Sequence, residues 1–242
     1  RQPASAYDSL AGGLHTSPAL ITHDGSQSGI QLRVSPLGSR ALLGVPAGEL
    51  AGLDLQAAEL LGQLDAEIRE RLLAEATWPG RFAVLDQMLL PLIASGAVGT
   101  GTAASRRGSS LAARAEVSPE VRHAWRLLLR SGGALQVSEL AEHTGWSERH
   151  LRTAFRTETG LTPKAAARVI RFNRARRMLQ QRAEQGRPLA LAGLAADCGY
   201  YDQAHLAREF RELAGCPPSE WVAAECRNVQ APAAVLVAAS KA

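Results

Sequence analysis

The chain has 242 residues, enough for one large domain or two modest ones, with 46% hydrophobic and 21% charged residues. That is ordinary globular composition, and no stretch holds the ~18 or more uncharged apolar residues of a membrane span. The net charge of +4 hides an asymmetry: residues 1–117 carry 9 Arg against 11 Asp and Glu, residues 118–242 carry 18 Lys and Arg against 12. Every basic residue but Lys164 and Lys241 is Arg, so the basic half points to an anionic partner that forked guanidinium groups can grip. Cys198, Cys216 and Cys226 form no CxxC and have no His at metal spacing, so neither a disulfide framework nor a zinc site is indicated.

The start, RQPASAYDSL, has no apolar core for a signal peptide and no initiator Met, so the chain reads as a fragment or processed form of a cytoplasmic protein. Residues 19–35 predict a β hairpin, with short apolar runs around the turn formers HDGSQSG. Over 53–76, Leu60, Leu64, Ile68 and Leu72 recur every fourth residue and predict a helix whose stripe could pack on a partner or on its neighbour. A second helix is expected over 79–97, opened by Pro79. The Gly, Ser and Thr of residues 99–117 read as a flexible interdomain linker. Ser118-Pro119-Glu120 opens another helix, with Val121, Trp125, Leu128 and Leu129 expected inward.

The C-terminal half repeats itself. Leu140-Ala141, Gly145-Trp146, Leu151, Phe155, Gly160 and Pro163 return as Leu194-Ala195, Gly199-Tyr200, Leu206, Phe210, Gly215 and Pro218. The small Ala permits a close helix crossing, Gly a positive φ at the helix end, and the aromatic fills the corner. Ser147 and Asp202 are expected to cap the second helix of each copy. Both copies therefore predict helix-turn-helix units, at 138–158 and 190–213, joined by a helix over 163–183. Outward from the Leu and Phe lie Glu148, Arg149, Arg152, Thr153 and Arg156 in one copy and Gln203, His205, Arg208 and Arg211 in the other. Arg and Gln at this spacing are the side chains that fork onto base edges in a major groove. The joining helix carries Arg168, Arg171, Arg174, Arg176, Arg177 and Arg182, and its ~30 Å length approaches the ~34 Å between successive major-groove faces.

Residues 118–226 resemble the DNA-binding domain of AraC/XylS-type bacterial transcription regulators, through the paired turns, the GLTP and GCPP ends, RFNRARRML and GYYDQAHLAREFRELAG. The resemblance implies a mainly α protein: a C-terminal seven-helix double helix-turn-helix domain over 118–228, and a small N-terminal α+β remnant of a sensor or dimerisation domain over 1–98. It also implies that Ser147, Arg149, Arg152, Thr153, Arg156, Gln203, His205, Arg208 and Arg211 contact DNA, the helices starting at Ser147 and Asp202 entering successive major-groove segments. Two departures stand out: Ala166 sits where an aromatic is usual, and Ala204 and Ala207 leave the second helix poor in polar groups. GIQLRVSPLGSRALLGVPAGEL is similar to the closing strand and helix of the sensor barrel in one subgroup, most of which would then be missing. Implied partners are double-stranded DNA, a small-molecule effector at the N-terminal domain, a second copy of the chain and RNA polymerase, with no membrane partner.

No catalytic residue, cofactor or metal is expected; His15 and His23 flank the hairpin without a third ligand. The chain is accordingly read as not an enzyme. Two other classes remain open on the residues alone. An AraC-like DNA-repair methyltransferase would need an activated, exposed alkyl-accepting Cys, and none of the three has a His beside it. A helical interaction protein could instead use the Arg face on an acidic partner. Residues 229–242 are expected to be a disordered tail.

Overall fold

The computed structural model describes residues 5–18, 28–95 and 116–225. Strand β1 (Leu10–Gly12) pairs antiparallel with β2 (Asp54–Gln56), Leu10 opposite Gln56 and Gly12 opposite Asp54. Of the hairpin expected over 19–35, residues 19–27 lie outside the described residues and 28–35 form no strand. The pairing that exists joins segments some forty residues apart, beyond the reach of a local turn signal.

A 3-10 turn (Pro36–Gly38) leads into α1 (Ser39–Leu43), followed by α2 (Ala57–Leu61), α3 (Gln63–Ala74) and α4 (Trp78–Ser95). Where the leucine periodicity predicts one helix over 53–76, β2, α2 and α3 stand instead. The break is at Gly62, whose φ of 60° and ψ of −132° suit a residue without Cβ. Ile68 is buried with Leu42, Leu85 and Leu89, while Leu64 and Leu72 pack at the margin. Part of the stripe, centred on Ile68, is thus covered by α1 and α4 of the same chain.

Residues 116–225 hold seven helices: α5 (Pro119–Arg130), α6 (Val137–Thr144), α7 (Glu148–Thr159), α8 (Pro163–Glu184), α9 (Leu191–Asp197), α10 (Gln203–Ala214) and α11 (218–225). The protein is mainly α, as its Ala- and Leu-rich sequence implies. On α5 the fully buried face is Val121, Ala124 and Leu128; Leu129, expected inward, is 51% exposed because it lies one step round from that face.

Two compact units emerge. One combines the N-terminal elements with residues up to Ala124 and with Ala141–Pro163, so α7 shares a unit with α1 to α4. The other combines Trp125–Leu140 with the chain from Lys164 and a short piece beginning at Thr16. Its core is Ala175, Leu179, Leu194, Cys198, Leu206 and Phe210, with Phe172 and Trp221 edge-on to Phe210 at 4.8 and 6.0 Å. Residues 99–115 and 229–242 lie outside the described residues.

Candidate nucleic-acid interface

The two repeated helices are built alike from their caps onward. Ser147 Oγ accepts from the His150 amide at 3.3 Å, and Asp202 Oδ1 accepts from the His205 amide at 2.6 Å. Each cap supplies a partner for an amide that the first helical turn leaves unpaired. Leu151 and Phe155, and in the second copy Leu206 and Phe210, are fully buried. Both helices run twelve residues and stop at a glycine with φ 81° and ψ −8°, Gly160 and Gly215. Only glycine adopts that left-handed geometry freely, which is why Gly stands thirteen residues past each cap.

The histidine three residues past each cap meets the corner aromatic edge-on: His150 with Trp146 at 4.3 Å, His205 with Tyr200 at 5.3 Å. His205 is fixed further, since its Nδ1 accepts from the Tyr201 amide at 3.4 Å. That places the ring proton on Nε2 and makes it a donor. Tyr201 is the residue that lengthens the second turn, and it stands 94% exposed. The extra residue is visible in the sequence, but its outward position is not.

Of the residues expected to contact DNA, Ser147, Arg149, Arg152, Thr153 and Arg156 are exposed on or beside α7. Gln203, Arg208 and Arg211 are exposed on α10, whereas His205 is half-buried. The Thr153 hydroxyl donates to the Arg149 carbonyl at 3.1 Å, so what it offers outward is an acceptor and a methyl. Arg152 leans toward Glu148 at 3.9 Å, a loose surface pair that an anion can replace.

The arginines of α8 are less free than their number implies. Arg168 donates to Glu209 at 2.5 Å and also binds Glu212, tying α8 to the inner side of α10. Arg171 donates to the Gly133 carbonyl at 2.8 Å and lies over the Tyr200 ring at 5.9 Å. Arg182 donates to the Leu189 carbonyl at 2.9 Å. Arg174 and Arg177 are exposed, although the Arg177 Nε reaches back to the Asn173 carbonyl. Much of this charge braces the fold.

Cys198 is buried, its Sγ 3.6 Å from Met178 Sδ, and burial pushes its thiol pKa up. Burial also raises that of Cys216, helped by Glu220. Both shifts run opposite to what an alkyl-accepting thiolate needs; Cys226 lies outside the described residues. His15 Nε2 sits 3.2 Å from Asp54 Oδ1, but no cluster of three metal-binding side chains occurs among the described residues, and His23 is not among them. Among the described residues no helix is long and apolar enough to cross a membrane.

With this geometry in place, residues 140–224 match a family described as a helix-turn-helix domain. The HTH-type transcriptional regulator YbfI of Bacillus subtilis, itself uncharacterised, is 36% identical over 70 residues, 29% of this chain and 23% of that protein. The HTH-type transcriptional regulator Rv1931c of Mycobacterium tuberculosis is 30% identical over 92 residues, 38% of this chain and 34% of that one. The HTH-type transcriptional activator RhaR of Salmonella arizonae is 33% identical over 75 residues, 31% of this chain and 25% of that one. The matches thus span about a third or less of each relative. Among solved structures, the C-terminal domain of AraT, a response regulator from Geobacillus stearothermophilus, aligns over 46% of this chain and 88% of its own, at 21% identity and a TM-score of 0.41. A probable AraC family transcriptional regulator from Rhodopseudomonas palustris aligns over 43% of this chain and 95% of its own, at 28% identity and a TM-score of 0.38.

Proposed function

We propose that this chain, whose residues 140–224 match a helix-turn-helix domain and are similar to HTH-type transcriptional regulators, reads a specific duplex with two heads, α7 and α10, in successive major-groove segments. The observation that carries the reading is the duplication itself. Two helices share cap, buried pair and terminal glycine, and each turns a different set of polar side chains to solvent. A packing role alone requires the shared inner positions and is indifferent to the outer ones; a reading role requires the outer ones to differ.

In this reading Arg149 and Arg152, and on α10 Gln203 and Arg208, meet base edges, because a forked donor or an amide there can pair bidentately with guanine or adenine. Thr153 adds its methyl to a thymine methyl. Ser147, Arg156, His205 and Arg211 hold phosphates and fix the register. Helix α8 is ~33 Å long at 1.5 Å per residue, close to the ~34 Å between successive major-groove faces. A small-molecule effector and a second copy of the chain acting through the N-terminal elements, contact with RNA polymerase, and a cytoplasmic setting complete the proposal. The test is selection of bound sites from random duplex by the whole chain, then titration of the selected site with salt. Enrichment of two short blocks about ten base pairs apart, with affinity falling steeply as salt rises, is the expected result. Uniform recovery of sequences, or affinity indifferent to salt, defeats it.

A further inference from the structure

Helix α7 carries an acid where its own electrostatics disfavour one. Glu158 lies in the last turn, at the negative end of the helix dipole, on a helix otherwise studded with Arg. Its carboxylate is answered from far along the chain. Arg40 of α1 donates from Nε to Oε2 and from Nη2 to Oε1, both at 2.8 Å, a two-pronged pair across 118 residues. The two side chains are only 13% and 14% exposed, so the pair is shielded from solvent and salt. The bond to Glu158 also raises the Arg40 pKa, keeping the guanidinium charged.

Backbone contact reinforces the pair from a second direction. Gly48 passes so near the Thr157 carbonyl that a Cβ there would collide with it. A Cβ at Gly160, which ends α7, would come within 2.9 Å of Ala51 Cβ and 3.1 Å of the Ala47 carbonyl. Residues 47–51 therefore lie against the end of α7. Helix α1 is itself anchored: Leu42, two residues from Arg40, is buried among Ile68, Leu85 and Leu89. Arg40 is thus presented from a fixed platform. The other head has no acid at the matching position: residue 213, eleven residues past the α10 cap as Glu158 is past the α7 cap, is Leu.

We infer that Arg40 and the 47–51 segment are a positioning device for the first reading head: they fix the last turn of α7, and so set where its outer side chains meet DNA. The inference rests on the two-headed reading above. It places part of the N-terminal region inside the DNA-reading unit, and gives the α1/α3/α4 core a mechanical route to the first head.

The test uses the whole chain and the duplex selected for it. Arg40→Gln and Glu158→Gln should each weaken binding about tenfold, as for a shielded pair stripped of one partner. The loss should appear as flattened preference in the α7 block, with the α10 block unchanged. The double variant should be no worse than either single. The charge-swapped pair Arg40→Glu with Glu158→Arg should recover most of the affinity, and the recovery guards against variants that merely misfold. Gly48→Ala, which changes no charge, should repeat the α7-specific loss. Hydrogen exchange of the amides at 157–160 should quicken in the single variants and slow again in the swap, whether or not DNA is present. Additive losses, equal effects on both blocks, or unchanged exchange at 157–160 would overturn the inference. Failure of the unaltered chain to select any duplex would overturn the two-headed reading instead, and exchange at 157–160 would then decide by itself whether the clamp holds α7.

Discussion

Helices α7 and α10 are the same cassette held by different neighbours. Counted from the caps, His falls at three residues, Leu at four, Phe at eight, Arg at nine and Gly at thirteen in both. The other positions diverge in a way that follows the surroundings. Seven residues past the cap, α7 has Ala154 and α10 has Glu209, the buried acid that Arg168 of α8 holds. Eleven past the cap, α7 has Glu158, held by Arg40, and α10 has Leu213. Each head is thus tied by an Arg, Arg40 or Arg168, that engages a different turn and comes from a different part of the chain. The outer faces diverge as well. Arg152 stands five residues past its cap where α10 has Ala207, and Arg208 stands six past its cap where α7 has Thr153. At these two positions the helices present a guanidinium at different points, which under the proposed function gives a common fold two distinct readings.

The comparison breaks first at the shared core. Phe155→Ala and Phe210→Ala should each cost ~3–5 kcal/mol, since both side chains are fully buried. Phe210→Ala also forfeits the ring contacts with Phe172 and Trp221. Urea unfolding measures both; near-neutral effects would mean that the repeated positions are not structurally equivalent.

The α10 brace comes next. Arg168→Met strands Glu209, which is buried and has one carboxylate oxygen without a partner. With Arg168 a third exposed, the expected destabilisation is ~1–3 kcal/mol, below that of a fully buried pair. Arg168→Met with Glu209→Met should recover part of it by removing the stranded charge. If the double variant unfolds at lower urea than the single, the pair contributes more than mutual neutralisation.

Sharper still are the outer positions, read in binding rather than stability. Arg152→Ala and Arg208→Ala should each cost ~1–3 kcal/mol at the selected duplex and relax preference at different base pairs. Arg152→Ala with Thr153→Arg moves the guanidinium of α7 to the register of α10, and should shift the preferred base in the α7 block by about one position. Competition binding against single base-pair changes reads both. Loss of preference at the same base pairs for the two heads would contradict the reading.

The smallest effects belong to the remaining arginines of α8. Arg174→Ala and Arg177→Ala should weaken selected and random duplex alike and lower the salt slope by about one each. Arg171→Ala should instead appear in stability, because it loses the bond to the Gly133 carbonyl. A change in sequence preference from Arg174→Ala would mean that α8 enters a groove.

What the sequence by itself determined is what short-range rules encode. Caps at Ser147 and Asp202, left-handed glycines at Gly160 and Gly215, and buried Leu and Phe at helical spacing depend on residues three to thirteen positions apart, so a single segment specifies them. Tertiary structure alone decided which charges are available. Twelve Arg fall between residues 149 and 211 with nothing local to tell brace from reader. Arg168 is assigned to Glu209 across 41 residues and Arg40 to Glu158 across 118, because a buried carboxylate is costly until some cation, wherever it lies in the chain, is folded against it. The pairing of β1 with β2 and the break of the leucine stripe at Gly62 have the same origin. A strand's partner and a helix's end were settled by what the rest of the chain could pack there, which no local periodicity records.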